Sequence, residues 1–219
     1  MKKRTATTAL AVAGLATAGC FGDLDLDQDQ GPQTTRTVTL TGFNAITANG
    51  AIDLTVVVGS EETIKIEGAE DRVENLKASV EDGTLVLKEE SNGLFGNDGR
   101  LQVTVTLPAL TALGVNGSGD AYVTGVKSDF LTVSINGSAD VDVSGEVITV
   151  HVTVNGSGDV NARSLIAKKS EVSIAGSGDV EVAASDELSV SVAGSGDVTY
   201  YGDPKVTSAV SGSGDVNKG

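Results

Sequence analysis

Apolar and polar residues alternate through much of the chain, and the same short segment interrupts the alternation at nearly regular intervals. Leu131, Val133 and Ile135 share one side of an extended backbone, with Thr132 and Ser134 on the other. Ile148, Val150, Val152 and Val154 repeat the spacing, as do Val172 with Ile174, and Leu188, Val190 and Val192. A period of two places successive side chains on opposite faces, so each run predicts a half-buried β-strand. Gly-Ser-Gly-Asp or a near copy follows, starting at Gly117, Gly137, Gly156, Gly176, Gly194 and Gly212, in steps of 20, 19, 20, 18 and 18 residues. A second short strand comes next, at Val141 and Val143, at Val160, at Val180 and Val182, and at Val198 and Tyr200. Gly125, Gly145, Ser185-Asp186 and Gly202-Asp203-Pro204 mark a further turn.

This period, with two or three short strands per repeat, predicts an all-β fold: a right-handed parallel β-helix (β-solenoid) with coils of 18–20 residues. One coil cannot bury its apolar side alone, whereas coils stacked at ~4.8 Å pair every strand above and below. Gly-Ser-Gly suits the corner, because glycine adopts positive φ and lets backbones approach closely. A propeller needs a longer repeat of four strands, and a leucine-rich repeat needs a helical segment. Stacking also predicts columns of like residues. Asn116, Asn136 and Asn155 form an expected asparagine ladder, continued by Ala175, Ala193 and Ser211.

The first half alternates too, at Val38 and Leu40, Ile52 to Val56, Ile64 and Ile66, Leu85 and Leu87, and Leu101 to Val105, with less regular corners. Ala69–Lys77 is the one segment that reads as a helix, with Val73 and Leu76 inward, placed as an insertion or over a solenoid edge. Residues 91–100, rich in Gly and Asn, read as a surface loop. Residues 35–219 show no linker and are expected to form one domain.

Composition narrows the function. Aromatics are 3% of the chain and tryptophan is absent, so the core must be built from Val, Ile, Leu and Ala. A net charge of -15 opposes binding to nucleic acid or to anionic lipid, both of which need basic patches.

Lys2, Lys3 and Arg4 precede a short apolar stretch and the small residues Ala16, Thr17, Ala18 and Gly19, so residues 1–19 read as a signal peptide. Cys20, the sole cysteine, stands where a lipoprotein signal peptidase leaves its lipidated residue, although Thr17 replaces the usual leucine. Ordinary cleavage after Ala18 is the competing reading. Loss of residues 1–19 removes three positive charges, leaving -18. Phe21 after Cys20 resembles outer-membrane sorting in enteric bacteria. Residues 20–34 are expected to be the lipidated cysteine and a flexible acidic tether, with Asp23, Asp25, Asp27 and Asp29 solvated rather than metal-bound.

Phe43-Asn44-Ala45-Ile46, Leu107-Pro108-Ala109-Leu110, the serial Gly-Ser-Gly-Asp corners and Val198-Thr199-Tyr200-Tyr201-Gly202-Asp203-Pro204 together resemble the head GIN domain family of bacterial envelope proteins, over roughly residues 40–217. The resemblance implies a right-handed β-helix at the cell surface and carries over no catalytic residue. No membrane barrel follows the repeats within this sequence, so lipid on Cys20 is the expected anchor.

Candidate chemistry is sparse. Stacked coils would align Asp120, Asp140, Asp159, Asp179, Asp197 and Asp215 as a carboxylate column, a candidate calcium site whose plain alternative is a set of turn residues. Polysaccharide lyases share the fold class, but the scattered basic residues and the three tyrosines do not suggest their sites. His151, the single histidine, should point to solvent with Thr149 and Thr153. Gly-Ser-Gly-Asp lacks the strand-to-helix setting of a nucleophile elbow. The expected function is therefore a non-catalytic surface adhesion or interaction module without a cofactor, exported and lipid-anchored at the outer membrane. The alternative is a periplasmic envelope-organising or stress-sensing protein that binds a partner protein or glycan. The open coil near Val216 suggests end-to-end stacking of copies.

Overall fold

The computed structural model describes residues 33–90 and 101–219. Its elements are β1 (Gln33–Val38), β2 (Ala45–Gly50), β3 (Ile52–Val58), β4 (Thr63–Ala69), α1 (Glu70–Asn75), β5 (Leu76–Glu81), β6 (Thr84–Glu89), β7 (Leu101–Leu107) and β8 (Ala112–Gly117). The repeats supply β9 (Ala121–Gly137), β10 (Val141–Gly156), β11 (Val160–Ala162), β12 (Leu165–Gly176), β13 (Val180–Ala183), β14 (Glu187–Gly194), β15 (Val198–Tyr201), β16 (Lys205–Gly212) and β17 (Val216–Lys218).

The fold is a β-solenoid. From β8 onward every pairing is parallel and joins a strand to its equivalent in the next coil. Gly117, Gly137, Gly156, Gly176, Gly194 and Gly212 share one column, as the repeat spacing predicts. The buried interior follows the alternation: Leu131, Val133 and Ile135 lie under Val150, Val152 and Val154, all at most 1% exposed. Phe43, Ile46, Leu107 and Leu110 also belong to this core.

Steric fit explains the glycines at the corner. Gly137 has φ +141°, and a Cβ placed on it would collide with the carbonyl oxygen of Gly117 one coil below. No side chain can occupy that point without pushing the coils apart.

The chain turns a further corner after Val147, and here the alternation misleads. Ile148 was expected inside, yet it is 45% exposed. Val147 and Val150 are the buried residues, because Ile148 and Thr149 both lie on the outside of the bend. In the following coil the same bend passes through Lys168 and Lys169, between the buried Ala167 and Ser170, and Ile166, opposite Glu146, is 68% exposed.

The first half is not a simple continuation of the coils. β2 pairs with both β6 and β8, and β3 with both β7 and β9, so the β2–β3 unit is inserted between strands that come later in the sequence. Antiparallel strands then close this side of the stack: β5 on β6, β4 on β7, and β1 on β4. Helix α1 is shorter than the expected Ala69–Lys77 segment. Val73 and Leu76 are buried as predicted, but Leu76 already begins β5. Arg36 of β1 donates from Nη2 to the Leu76 carbonyl at 2.6 Å, tying both edge strands together. Strand β1 starts at Gln33, two residues inside the segment expected to be tether.

Candidate functional site

The aspartates form the column that the repeat predicts, and the geometry gives them a defined task. The backbone N–H of each donates to Oδ1 of the aspartate one coil earlier: Asp140 to Asp120 at 3.2 Å, Asp159 to Asp140 at 3.0 Å, and Asp179 to Asp159 at 2.7 Å. Asp197 and Asp215 continue the series, each at 2.8 Å. Asp120 donates in the same way to Asp53, at 3.1 Å. At a glycine corner the strand ladder is interrupted, and the carboxylate supplies an acceptor that a turn backbone lacks. Sequence reasoning missed Asp53 because its corner reads Gly-Ala-Ile-Asp and lies 67 residues before Asp120. Among the described residues, no group of three or more His, Cys, Asp or Glu side chains is placed to hold a metal ion.

The asparagine ladder is present and one rung longer than expected. Nδ2 of Asn155 donates to Oδ1 of Asn136 at 3.0 Å, Asn136 to Asn116 at 2.8 Å, and Asn116 to Asn49 at 2.9 Å. Asn49 ends the run on the Leu87 carbonyl at 3.2 Å. Ala175, Ala193 and Ser211 continue the same column.

On the outer surface, His151 points outward as expected, but it has neighbours. Its Nε2 lies 3.2 Å from Glu171, and its ring meets Phe130 edge-on at 4.7 Å. Tyr122 is 53% exposed, while Tyr201 donates to Glu181 at 3.1 Å and carries the Arg163 guanidinium 4.3 Å above its ring. On the outer surface of three successive coils, a cleft of about 480 Å³ is lined by Lys127, Ile148, Ile166 and Lys168. Cys20 and the segment around it lie outside the described residues.

Nearly every residue type that the repeat fixes thus serves stacking, and what varies between coils is the outward surface. That arrangement defines a β-solenoid whose coils are held together at their corners. The chain belongs to the family described as "putative auto-transporter adhesin, head GIN domain", whose model matches residues 42–204. Among solved structures it is similar to a putative adhesin from Bacteroides fragilis (TM-score 0.71, 23% identity), covering 85% of this chain and 97% of that one. A putative lipid binding protein from Parabacteroides distasonis matches with TM-score 0.57 and 23% identity, over 86% and 97% of the respective chains. A putative adhesin from Parabacteroides merdae matches with TM-score 0.52 and 19% identity, over 86% and 97%. No curated protein matches the chain.

Proposed function

We propose that this chain is an exported lipoprotein, anchored to the outer membrane through Cys20, whose solenoid is a non-catalytic adhesion or interaction module. The observation that carries this reading is the division of labour within each coil. Glycine, aspartate and asparagine at the corners are committed to neighbouring coils, so recognition is left to the broad outward faces. Family membership supports the same reading. Gln33 lies at the side closed by β1, β4 and β5, so lipid on Cys20 would tether that side and present the 203–219 coil farther from the membrane.

Protease shaving of intact cells tests the display, with loss of the solenoid expected and an intact protein overturning it. Mass spectrometry of the native protein tests the anchor. A lipid-sized mass increment on Cys20, abolished in Cys20→Ala, is expected; an unmodified thiol overturns it.

A second reading, a periplasmic module that binds a small apolar ligand, is favoured by the exposed Ile148 and Ile166 beside the cleft. The name of the Parabacteroides distasonis neighbour, a putative lipid binding protein, points the same way. An intact solenoid after shaving, together with co-purified lipid, would favour it.

A further inference from the structure

The two sides of the stack differ in how their outer strands are protected. On the side of β1 and β5 the edges carry Arg36, Lys77 and Glu81, the Arg36 guanidinium bridges the two strands, and α1 packs against both. Charge and cover of this kind keep an edge strand from pairing with another chain. On the other side, β16 pairs with β14 alone and β17 with β15 alone. From Val206 to Gly214 the sequence Val-Thr-Ser-Ala-Val-Ser-Gly-Ser-Gly has no charge and no proline. Val210 is 43% exposed, although its column continues down through the buried Val192 and Ile174.

We propose that this edge binds a second copy of the same chain, with β16 pairing antiparallel to the partner's β16 about a two-fold axis at Ser208. The register follows from facing. Val206, Ser208 and Val210 stack on Leu188, Val190 and Val192 and point inward. In an antiparallel pair, residues opposite each other share a face, so an axis through Ser208 sets Val206 against the second copy's Val210 and continues the interior across the junction. An axis through Ala209 would oppose Val206 to Gly212 and lose both valine pairs. Charge permits the approach: the chain as a whole is at -15, whereas residues 202–219 carry Asp203, Lys205, Asp215 and Lys218, two of each sign. An axis of this kind closes at two copies, whereas stacking β16 onto the charged β1–β5 side would propagate without limit. The pairing goes beyond the proposed adhesion role and does not depend on which compartment displays the protein.

Cysteine cross-linking in the full chain, produced and exported in cells, tests the register. Ala209→Cys points outward and lies two residues from its own copy across the axis, roughly 8 Å away, whereas Ser211→Cys on the same face lies roughly 20 Å from its copy, six residues along the strand. With a short bis-maleimide, a covalent dimer is expected from Ala209→Cys and none from Ser211→Cys or the unaltered chain. Monomer throughout, or equal dimer from both variants, overturns the proposal. A dimer in the unaltered chain would come from an unmodified Cys20, which contradicts the lipid anchor; the pairing then stands or falls on the same comparison repeated in a Cys20→Ala background.

Discussion

The backbone N–H of Asp179 donates to Oδ1 of Asp159 at 2.7 Å, from one coil to the next. This bond explains the acidic residue at each corner without any ligand. Removing the acceptor should cost more than removing the charge. Asp159→Ala is expected to destabilise the fold by about 1–2 kcal/mol, whereas Asp159→Asn keeps an oxygen acceptor and should cost less than about 1 kcal/mol. Denaturant unfolding of both variants checks the order. The same samples with millimolar calcium and with chelator separate the corner role from a cation role. A calcium-dependent rise in midpoint, lost in Asp159→Asn, would show that the column also binds the ion.

Asn136 both gives and receives an amide bond in its ladder, whereas Asn155 is followed by Ala175. Asn136→Ala should therefore cost about 1–2 kcal/mol and Asn155→Ala roughly half of that. Equal losses at both sites would argue against an additive ladder. Urea unfolding midpoints suffice for the comparison.

Gly137 and Gly42 both have positive φ, at +141° and +83°, but their surroundings differ. A Cβ at Gly137 meets the Gly117 backbone, while one at Gly42 meets nothing within 4 Å. Gly42→Ala is expected to cost about 1 kcal/mol from backbone strain alone. Gly137→Ala should cost more than about 3 kcal/mol or prevent folding, because a rigid backbone must move as well. Circular dichroism on heating distinguishes the two.

Arg72 joins α1 to the stack. Its Nε and Nη2 lie 2.7 Å and 2.6 Å from Oε1 of Glu89, and Nη2 also reaches the Ala51 carbonyl at 3.2 Å. Lysine offers a single ammonium in place of this fork, so Arg72→Lys should weaken the closed side of the solenoid by about 1–3 kcal/mol. Hydrogen exchange ought to rise in α1 and β5 while the glycine corners stay protected.

Asp203 and Lys218 pair on the outer surface of the coil that holds β16 and β17. The lysine's hydrogen bond, then its charge, hold the Asp203 carboxyl below its ordinary range, and the carboxylate in turn raises Lys218. The pair therefore contributes above the ordinary carboxylate range. That contribution is lost in acid as the pH falls through the lowered Asp203 value, and in alkali as the pH rises through the raised Lys218 value. Both groups are exposed, so the effect on stability should be small. Lys218→Gln is expected to return the Asp203 titration upward, as followed by NMR; an unchanged Asp203 titration would show that the pair does not persist in solution.

Local chemistry wrote most of the repeat region into the sequence. Strands, corners, glycine columns and the order of the asparagine and aspartate ladders all follow from a two-residue alternation and one recurring tetrapeptide, because stacked coils place sequence equivalents in contact. Cys20 is legible in the same way, from residue types alone, and its lipid remains a proposal. Tertiary structure decided what the repeat could not encode. Asn49 and Asp53 join their ladders across 67 residues, since β2 and β3 are inserted between strands that follow them in the chain. The antiparallel closure by β1, β4 and β5 was hidden too, because alternation gives a strand's faces but not the direction of its neighbour. Ile148 shows the limit at one residue: where the backbone bends between Val147 and Val150, the period of two lapses, and packing alone decides which side chain goes inside.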